Sequence, residues 1–197
     1  MIIGLTGTLG SGKTTIAQYL KNKSFQYITI SDLVREEAQK RNLPIERQVL
    51  QDIGNEMRKL HGNEYWAKKV LERINLNDKW IIDGIRNPGE IEELKKLKQF
   101  ILVGIDAPLK IRLDRIQERK GILSERKHSD PNSIDEIKKL EERDRGLNES
   151  SFGQHVEKCL ELTDYKISTD MSEKETFRIV NEIIQKVKNI SLKKLDK

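Results

Sequence analysis

The chain has 197 residues, of which 36% are hydrophobic and 35% are charged, and its formal net charge is +5. That length and apolar content suit one globular domain spanning residues 1–197. Its single cysteine, Cys159, excludes an intramolecular disulfide and a multi-cysteine zinc site, and is typical of a reducing, cytoplasmic compartment. The first predicted strand begins at Ile2 and no apolar run is long enough to cross a bilayer, so we expect neither a signal peptide nor a membrane partner.

Five apolar runs predict the strands of a parallel sheet. They lie at residues 2–5, 27–30, 80–82, 100–105 and 165–167, and helix-like stretches separate them. This alternation predicts an α/β fold in which helices cover both faces of the sheet. Ligands of such folds bind at the carboxyl ends of the strands, so the residues that follow each run are the candidates for function.

The first run leads into a complete phosphate-binding motif, G-x-x-x-x-G-K-[ST], at residues 7–14, and a helix-like segment follows it. Its glycines let backbone N–H groups surround a phosphate, and the following helix directs its positive end at the anion. We expect Lys13 to reach the β- and γ-phosphates and the Thr14 hydroxyl to bind Mg²⁺. An ordinary glycine-rich turn is the alternative interpretation. The motif predicts Mg²⁺-ATP binding by Gly7, Thr8, Leu9, Gly10, Ser11, Gly12, Lys13, Thr14 and Thr15.

Two aspartates follow other predicted strands. Asp83 ends the third run, next to the expected phosphate loop, so its carboxylate could hold Mg²⁺ or a water bound to Mg²⁺; alternatively it caps the turn at Gly84. Asp32 follows the second run, where it could accept a proton from an acceptor hydroxyl or orient that hydroxyl. The Ser31-Asp32 pair is equally typical of a helix N-terminus, and one residue can serve in both ways.

Several arginines are placed to bind an anionic ligand. Arg35 lies one turn into the helix that follows the second run, and Arg86 follows the third run. Arg112, Arg115 and Arg119 share one helical face at positions i, i+3 and i+7. Guanidinium groups match phosphate in a bidentate manner, and phosphoryl transfer depends on positioning and charge neutralisation. Solvated helix faces are the alternative explanation for these arginines.

Residues 119–150 interrupt the apolar pattern. Residues 119–131 are almost purely polar, and the very charged stretch 133–145 follows. A segment with so little to bury is expected to be mobile until a ligand orders it, so we interpret residues 119–150 as a lid. Arg119, Arg126 and Arg143 could order this lid around bound phosphates.

Taken together, the motifs resemble those of the P-loop nucleoside monophosphate kinase group, which includes the dephospho-CoA kinases. They lie at residues 4–7, 10–15, 31–35, 83–90, 106–108 and 112–119. The closest likeness is to the kinase-like domain fused to some deoxycytidylate deaminases and to related free-standing archaeal proteins, with further matches at 143–144 and 153–164. The resemblance covers nearly the whole chain, and the Asp-Gly-Ile-Arg-Asn-Pro-Gly-Glu stretch at 83–90 is quite specific.

This resemblance implies a three-layer P-loop NTPase fold with a five-stranded sheet, a helical acceptor-binding region at residues 31–75 and a closing lid. It also implies that Arg35 binds the acceptor's phosphate, that Arg86 lies near the acceptor, and that the transferred phosphoryl group is approached by Arg115, Arg119 and Arg143.

The chain departs from the family pattern at two points. Adenylate kinases have Asp-Gly-Phe-Pro-Arg where this chain has Asp83-Gly84-Ile85-Arg86, so the arginine is one position closer to the aspartate. The deaminase zinc signature is absent, because neither His-x-Glu nor Pro-Cys-x-x-Cys occurs.

The leading functional hypothesis is transfer of the γ-phosphoryl group of Mg²⁺-ATP to a small nucleotide-like acceptor, most simply a (deoxy)nucleoside monophosphate. Dephospho-CoA is an alternative acceptor, because Asp32 would suit a ribose hydroxyl. A regulatory module that binds nucleotide without turnover is a further alternative. No Asn-Lys-x-Asp guanine motif supports a GTPase, and only 5% of residues are aromatic, which disfavours nucleic acid as a partner. We expect a monomer or a homodimer.

Overall fold

The computed structural model describes residues 1–122 and 134–193, with side chains described for residues 1–118 and 137–189. Five parallel strands form one sheet in the order β2-β3-β1-β4-β5. They are β1 (Ile2–Thr6), β2 (Gln26–Thr29), β3 (Trp80–Asp83), β4 (Phe100–Asp106) and β5 (Tyr165–Ser168). The predicted five-stranded parallel sheet is therefore confirmed, with each strand end within one residue of its expected position.

Nine helices connect and cover these strands in the part of the chain that the structure describes. They are α1 (Lys13–Lys21), α2 (Ile30–Lys40), α3 (Arg47–His61), α4 (Tyr65–Leu71), α5 (Pro88–Leu94), α6 (Leu109–Ile122), α7 (Ile134–Arg145), α8 (Val156–Glu161) and α9 (Glu173–Lys193). Helices α2, α3 and α4 occupy most of the region 31–75 that was predicted to bind an acceptor. No helix of the described ranges is long and apolar enough to span a bilayer.

Alternate strand residues supply two apolar cores, one on each face of the sheet. Ile81 belongs to the core that contains α1 and α9, whereas its neighbour Ile82 belongs to the core that contains α2 to α5, and both are fully buried. Successive strand side chains point to opposite faces, so a strand buried on both sides has no polar face. The predicted three-layer arrangement is confirmed by these two cores.

The register of the central strands places the functional residues at one edge of the sheet. Leu5 of β1 pairs with Asp83 of β3, and Asp83 pairs in turn with Thr29 of β2. Thr29 is also the N-cap of α2, because its side chain accepts a hydrogen bond from the backbone N–H of Ser31. The phosphate loop, Asp83 and the start of α2 therefore meet at the carboxyl ends of the strands.

The predicted lid is only partly covered by the described residues. Residues 123–133, with Arg126, and the side chain of Arg119 lie outside them. The expectation that residues 119–150 have too little to bury is wrong for α7, where Ile137, Glu141 and Asp144 are buried. The physical reason is that arginines from outside α7, one buried and two half-buried, pair with these carboxylates, so a highly charged helix packs without a wide apolar face.

Candidate active site

The phosphate loop connects β1 to α1 and depends on glycine at two positions. Gly12, the N-cap of α1, has a φ of 92°, and Gly10 has a φ of 78°. A Cβ on Gly10 would also lie 2.7 Å from the carbonyl oxygen of Arg112. Helix α1 has neither a side-chain cap nor an acidic residue in its first turn, so its first N–H groups are available to an anion.

Lys13 crosses this loop from the first position of α1. Its Nζ donates to the carbonyl oxygens of Gly7 at 2.6 Å and Thr8 at 2.8 Å. Desolvation lowers the pKa of Lys13 to about 8, although the negative charge of Asp83 acts in the opposite direction. A desolvated ammonium group favours an anionic neighbour, and the phosphates of a nucleotide would supply one.

Asp83 provides a carboxylate suited to a hard cation. Its Oδ2 accepts a hydrogen bond of 2.9 Å from the Tyr27 hydroxyl, while no described residue donates to its buried Oδ1. Desolvation and the nearby Asp83 charge raise the pKa of Tyr27, so the phenol remains a donor. Asp83 makes no capping bond to Gly84, so the turn-cap alternative is wrong. An unpaired buried oxygen in a residue that lines the same cavity as Thr14 fits Mg²⁺, which prefers oxygen ligands.

One cavity of about 570 Å³ joins the phosphate loop to the loop after β3 and the N-terminal turns of α2 and α3. Cationic side chains outnumber carboxylates around it. The cations are Lys13, Arg35, Arg47, Arg86 and Arg115, and the carboxylates are Asp83, Glu118 and Glu173. Such an excess of positive charge favours a polyanionic ligand.

Arg115 lies on the phosphate-loop side of this cavity. Its Nη1 donates to the Thr169 hydroxyl at 2.8 Å and its Nη2 to the Thr169 carbonyl oxygen at 2.5 Å. The Thr169 hydroxyl in turn donates to the Ser11 carbonyl oxygen at 2.8 Å. These contacts connect α6, the residue after β5 and the phosphate loop, so Arg115 is held close to the phosphate loop.

On the opposite side lie Arg35, Arg47 and Arg86, which we call the acceptor-side cluster after the role predicted from the sequence for Arg35 and Arg86. All three also line a second cavity of about 70 Å³, which extends toward the apolar side chains of Val34 and Leu50. The two cavities therefore share the three guanidinium groups. An acceptor with a phosphate and an apolar or planar part would fit this combination.

The loop that carries Arg86 is fixed by a buried carboxylate. Glu90 Oε2 accepts hydrogen bonds from the backbone N–H groups of Arg86 at 2.8 Å and Asn87 at 3.1 Å. Asn87 and Glu90 form a capping box at the start of α5. Glu90 Oε1 pairs with Arg58 of α3 at 2.8 Å, and both side chains are buried. The position of Arg86 is therefore tied to two helices.

The structure brings most of the predicted site residues to this cavity. The predicted residues that line the cavity are Leu9, Gly10, Ser11, Gly12, Lys13, Thr14, Thr15, Arg35, Asp83, Arg86 and Arg115. Gly7 and Thr8, the first two residues of the motif, do not line the cavity, and Thr8 is fully buried.

Three other residues singled out in the sequence do not line the cavity: Asp32, Arg143 and Arg112. Asp32 is exposed and pairs with Arg35 at 2.6 Å; the alternative that it caps α2 is wrong, because Thr29 is the cap. Arg143 does not line the cavity, and it pairs with Asp52 at 2.6 Å and Glu149 at 2.8 Å.

Arg112 is buried and pairs with Glu141, so the expected row of arginines on one face of α6 is divided between structural and cavity positions.

The sequence interpretation missed Arg47 and the role of Glu90. Arg47 begins α3 and resembles any other arginine in a charged stretch, so no local signal distinguished it. A signal for Glu90 was present, because Asn87-Pro88-Gly89-Glu90 has the spacing of a capping box with proline at the first helical position. A carboxylate in that motif is fixed locally, and here it is buried as well.

The phosphate loop, the strand order and the cationic cavity define a kinase-like domain of the P-loop class. The fold agrees with that of shikimate kinase from Aquifex aeolicus, with a TM-score of 0.53 and 21% identity, covering 98% of this chain and 99% of that one. At that level of identity the likeness concerns the fold alone.

Sequence comparisons identify the family. A model described as AAA domain, AAA_18, matches residues 3–140. A UPF0200/UPF0201 protein of Archaeoglobus fulgidus is 30% identical over 198 residues, with 97% of this chain and 57% of that protein covered. A UPF0200 protein of Saccharolobus islandicus is 32% identical over 190 residues, with 94% and 93% covered. The chain belongs to the AAA_18 domain family and to the UPF0200 proteins, and it spans little more than half the length of the Archaeoglobus relative.

Proposed function

We propose that this protein transfers the γ-phosphoryl group of Mg²⁺-ATP to a small nucleotide-like acceptor, most simply a (deoxy)nucleoside monophosphate. One observation carries the proposal: a single cavity is lined by the phosphate loop at one end and by Arg35, Arg47 and Arg86 at the other. A protein that only senses ATP needs the first set of groups and has no use for a second anion site in the same cavity. A phosphotransferase needs both.

The chemistry asked of the protein is positioning and charge neutralisation. The phosphate loop and Lys13 would hold the β- and γ-phosphates of ATP, and Arg115 would approach the transferred group from the donor side. Thr14 and Asp83 would hold Mg²⁺, which when bound neutralises phosphate charge. The acceptor-side arginines would bring an anionic acceptor into line with the γ-phosphorus.

The position of Asp32 favours a phosphate as the attacking group. A hydroxyl acceptor, as in dephospho-CoA, needs a general base within hydrogen-bond reach, whereas the phosphate of a nucleoside monophosphate is already ionised at neutral pH. Asp32 lies outside the residues that line the cavity and is paired with Arg35. Asp32 therefore makes an exposed ion pair with Arg35 rather than acting as a general base, and proton abstraction from dephospho-CoA is the less favoured reaction.

The test is a screen for ADP production with Mg²⁺-ATP and a panel of ribonucleoside and deoxyribonucleoside monophosphates, with dephospho-CoA included. The proposal expects one class of monophosphate to stimulate turnover. Stimulation by dephospho-CoA alone would replace the acceptor, and tight ATP binding without any acceptor-stimulated turnover would overturn the proposal in favour of a nucleotide sensor.

A matched pair of variants ties that turnover to this site. Lys13→Ala removes the charge aimed at the β- and γ-phosphates and should lower turnover by about 10²-fold or more, the effect of losing one preorganised charge-stabilising donor. Lys21→Ala removes the same charge from the exposed last turn of the same helix and should leave turnover unchanged. Equal effects of the two variants would place the reaction elsewhere.

A further inference from the structure

A buried carboxylate on α7 connects two of the acceptor-side arginines. Asp144, which is 2% exposed, accepts from Arg47 Nη2 at 2.5 Å through Oδ2 and from Arg86 Nη1 at 3.1 Å through Oδ1. Its Oδ1 also accepts from Gln51 Nε2 at 2.7 Å. Arg86 Nη1 makes a further contact of 3.0 Å with Gln154 Oε1. Asp144 itself does not line either cavity.

The charges of this cluster do not cancel. Burial alone would raise the pKa of Asp144, but Arg47 and Arg86 favour its ionised form, and the pKa is lowered overall. One carboxylate therefore faces two guanidinium groups, so the cluster keeps a positive charge. A guanidinium carries five N–H donors, and both arginines line the cavity, so their side chains can meet a ligand there.

We propose that Asp144 is a positioning residue that holds Arg47 and Arg86 in the orientation that binds an anionic acceptor. The proposal rests on the proposed function, because it concerns the acceptor side of the same site. It adds that binding of the acceptor's anionic group depends on a carboxylate supplied by α7, from outside the cavity. The sequence separation between Asp144 and Arg86 is 58 residues, so the arrangement exists only in the folded protein.

Removing the carboxylate distinguishes a positioning role from a simple effect on local charge, because the two roles predict opposite changes in the affinity for an anion. Asp144→Asn makes the cluster more positive, so if Asp144 only moderates the local charge, an anion should bind more tightly to the variant. If Asp144 orients the two guanidinium groups, the same variant should bind the anion more weakly. Asp144→Glu keeps the charge but moves the carboxylate by one methylene, so positioning again predicts weaker binding whereas charge alone predicts no change.

Glu141 provides a matched control one turn earlier on the same helix. It is also buried, and it pairs with Arg112 at 2.5 Å and Arg145 at 3.0 Å. Neither of those arginines lines a cavity. Glu141→Gln therefore removes a buried carboxylate of α7 with comparable loss of ion pairing, but it leaves the acceptor-side arginines with their partner.

The experiment titrates inorganic phosphate into protein saturated with Mg²⁺ and a non-hydrolysable ATP analogue, which fills the donor side. Binding is followed through the ¹⁵Nε–Hε signals of the arginines, assigned with Arg47→Lys and Arg86→Lys, and folding is checked by thermal unfolding. We expect the dissociation constant for phosphate to rise by about tenfold or more in Asp144→Asn, the effect of losing a well-oriented charge-assisted hydrogen bond. Asp144→Glu should change it in the same direction, and it carries the test if Asp144→Asn does not fold.

The affinity of the Asp144 variants for the ATP analogue should stay within about twofold of that of the unaltered protein. The affinity of Glu141→Gln for phosphate should stay within the same range. Tighter phosphate binding in Asp144→Asn, or equal effects of Asp144→Asn and Glu141→Gln, would overturn the proposal. Because the readout is phosphate binding, it can succeed even if no acceptor is phosphorylated, and it can fail in a protein that is an active kinase. The positioning role of Asp144 and the proposed phosphoryl transfer can therefore be refuted independently of each other.

Discussion

Glu90 is the residue whose loss should affect both the stability of the fold and the position of Arg86. Its carboxylate is fully buried, and its Oε1 accepts from Arg58 Nε at 2.9 Å and Nη2 at 2.8 Å. Its Oε2 accepts the two backbone N–H groups of Arg86 and Asn87. Glu90→Gln keeps the shape of the side chain but removes the charge and replaces one acceptor oxygen with a donor.

The expected cost follows from what the substitution leaves behind. Arg58 is 3% exposed and would keep an uncompensated buried charge, which costs about 3–5 kcal/mol. Total stabilities of single domains are about 5–15 kcal/mol, so this is a large fraction. For a chain of this size the melting temperature should fall by roughly 2–4 °C per kcal/mol, or about 6–20 °C in all.

Thermal and urea unfolding measure this effect against two further variants. Glu92→Gln makes the same chemical change at an exposed position of α5 and should alter stability by less than about 0.5 kcal/mol. The double variant Arg58→Met/Glu90→Gln removes the unpaired charge and should be more stable than Glu90→Gln alone. The reasoning would be refuted if Glu90→Gln cost no more than Glu92→Gln, or if the double variant were the least stable of the three.

Other substitutions and reagents test separate parts of the site. Asp32→Asn breaks an exposed ion pair with Arg35 and should leave turnover with a monophosphate acceptor near its original value; a loss of 10²-fold or about that size would make Asp32 catalytic. Thr14→Ala should raise the Mg²⁺ concentration needed for half-maximal turnover, and an unchanged requirement would remove Thr14 from the metal site. Because the pKa of Lys13 is about 8 and its charged form binds phosphate, ATP affinity measured by calorimetry should weaken from pH 7 to pH 9, and Lys13→Arg should abolish that dependence. Burial raises the pKa of the Cys159 thiol, so iodoacetamide should label it only as fast as the protein unfolds; rapid labelling of the folded protein would contradict its buried position.

The sequence was sufficient for features that depend on neighbouring residues. The phosphate loop, the five strands and the position of Asp83 at the end of β3 all follow from short motifs and apolar runs. The boundary error at β2 has a physical reason: Ile30 is apolar and was assigned to the strand, but Thr29 caps α2 and the helix begins at Ile30. Local apolar pattern does not distinguish the last strand residue from the first buried helix residue.

Features that depend on distant pairs could not be predicted in this way. Arg143 and Arg47 occur in similarly charged stretches, yet Arg143 pairs with the exposed Asp52 and does not line the cavity, whereas Arg47 does. Arg86 and Arg47, which pair with Asp144, lie 58 and 97 residues away in sequence. The charged composition of residues 133–145 therefore does not indicate that Asp144 is buried. A polar segment was therefore interpreted as unpacked, although paired charges can be buried together.

The most direct test of the account follows the label from [γ-³²P]ATP in the presence of Mg²⁺ and the nucleoside monophosphate panel, with products separated by thin-layer chromatography. The joined cavity predicts that label moves to one class of monophosphate to give a labelled diphosphate, and that this transfer is lost in Lys13→Ala and in Arg86→Ala but retained in Lys21→Ala. Label that stays in ATP, or that is released only as inorganic phosphate whatever acceptor is present, would contradict the claim that this site transfers a phosphoryl group between two bound nucleotides.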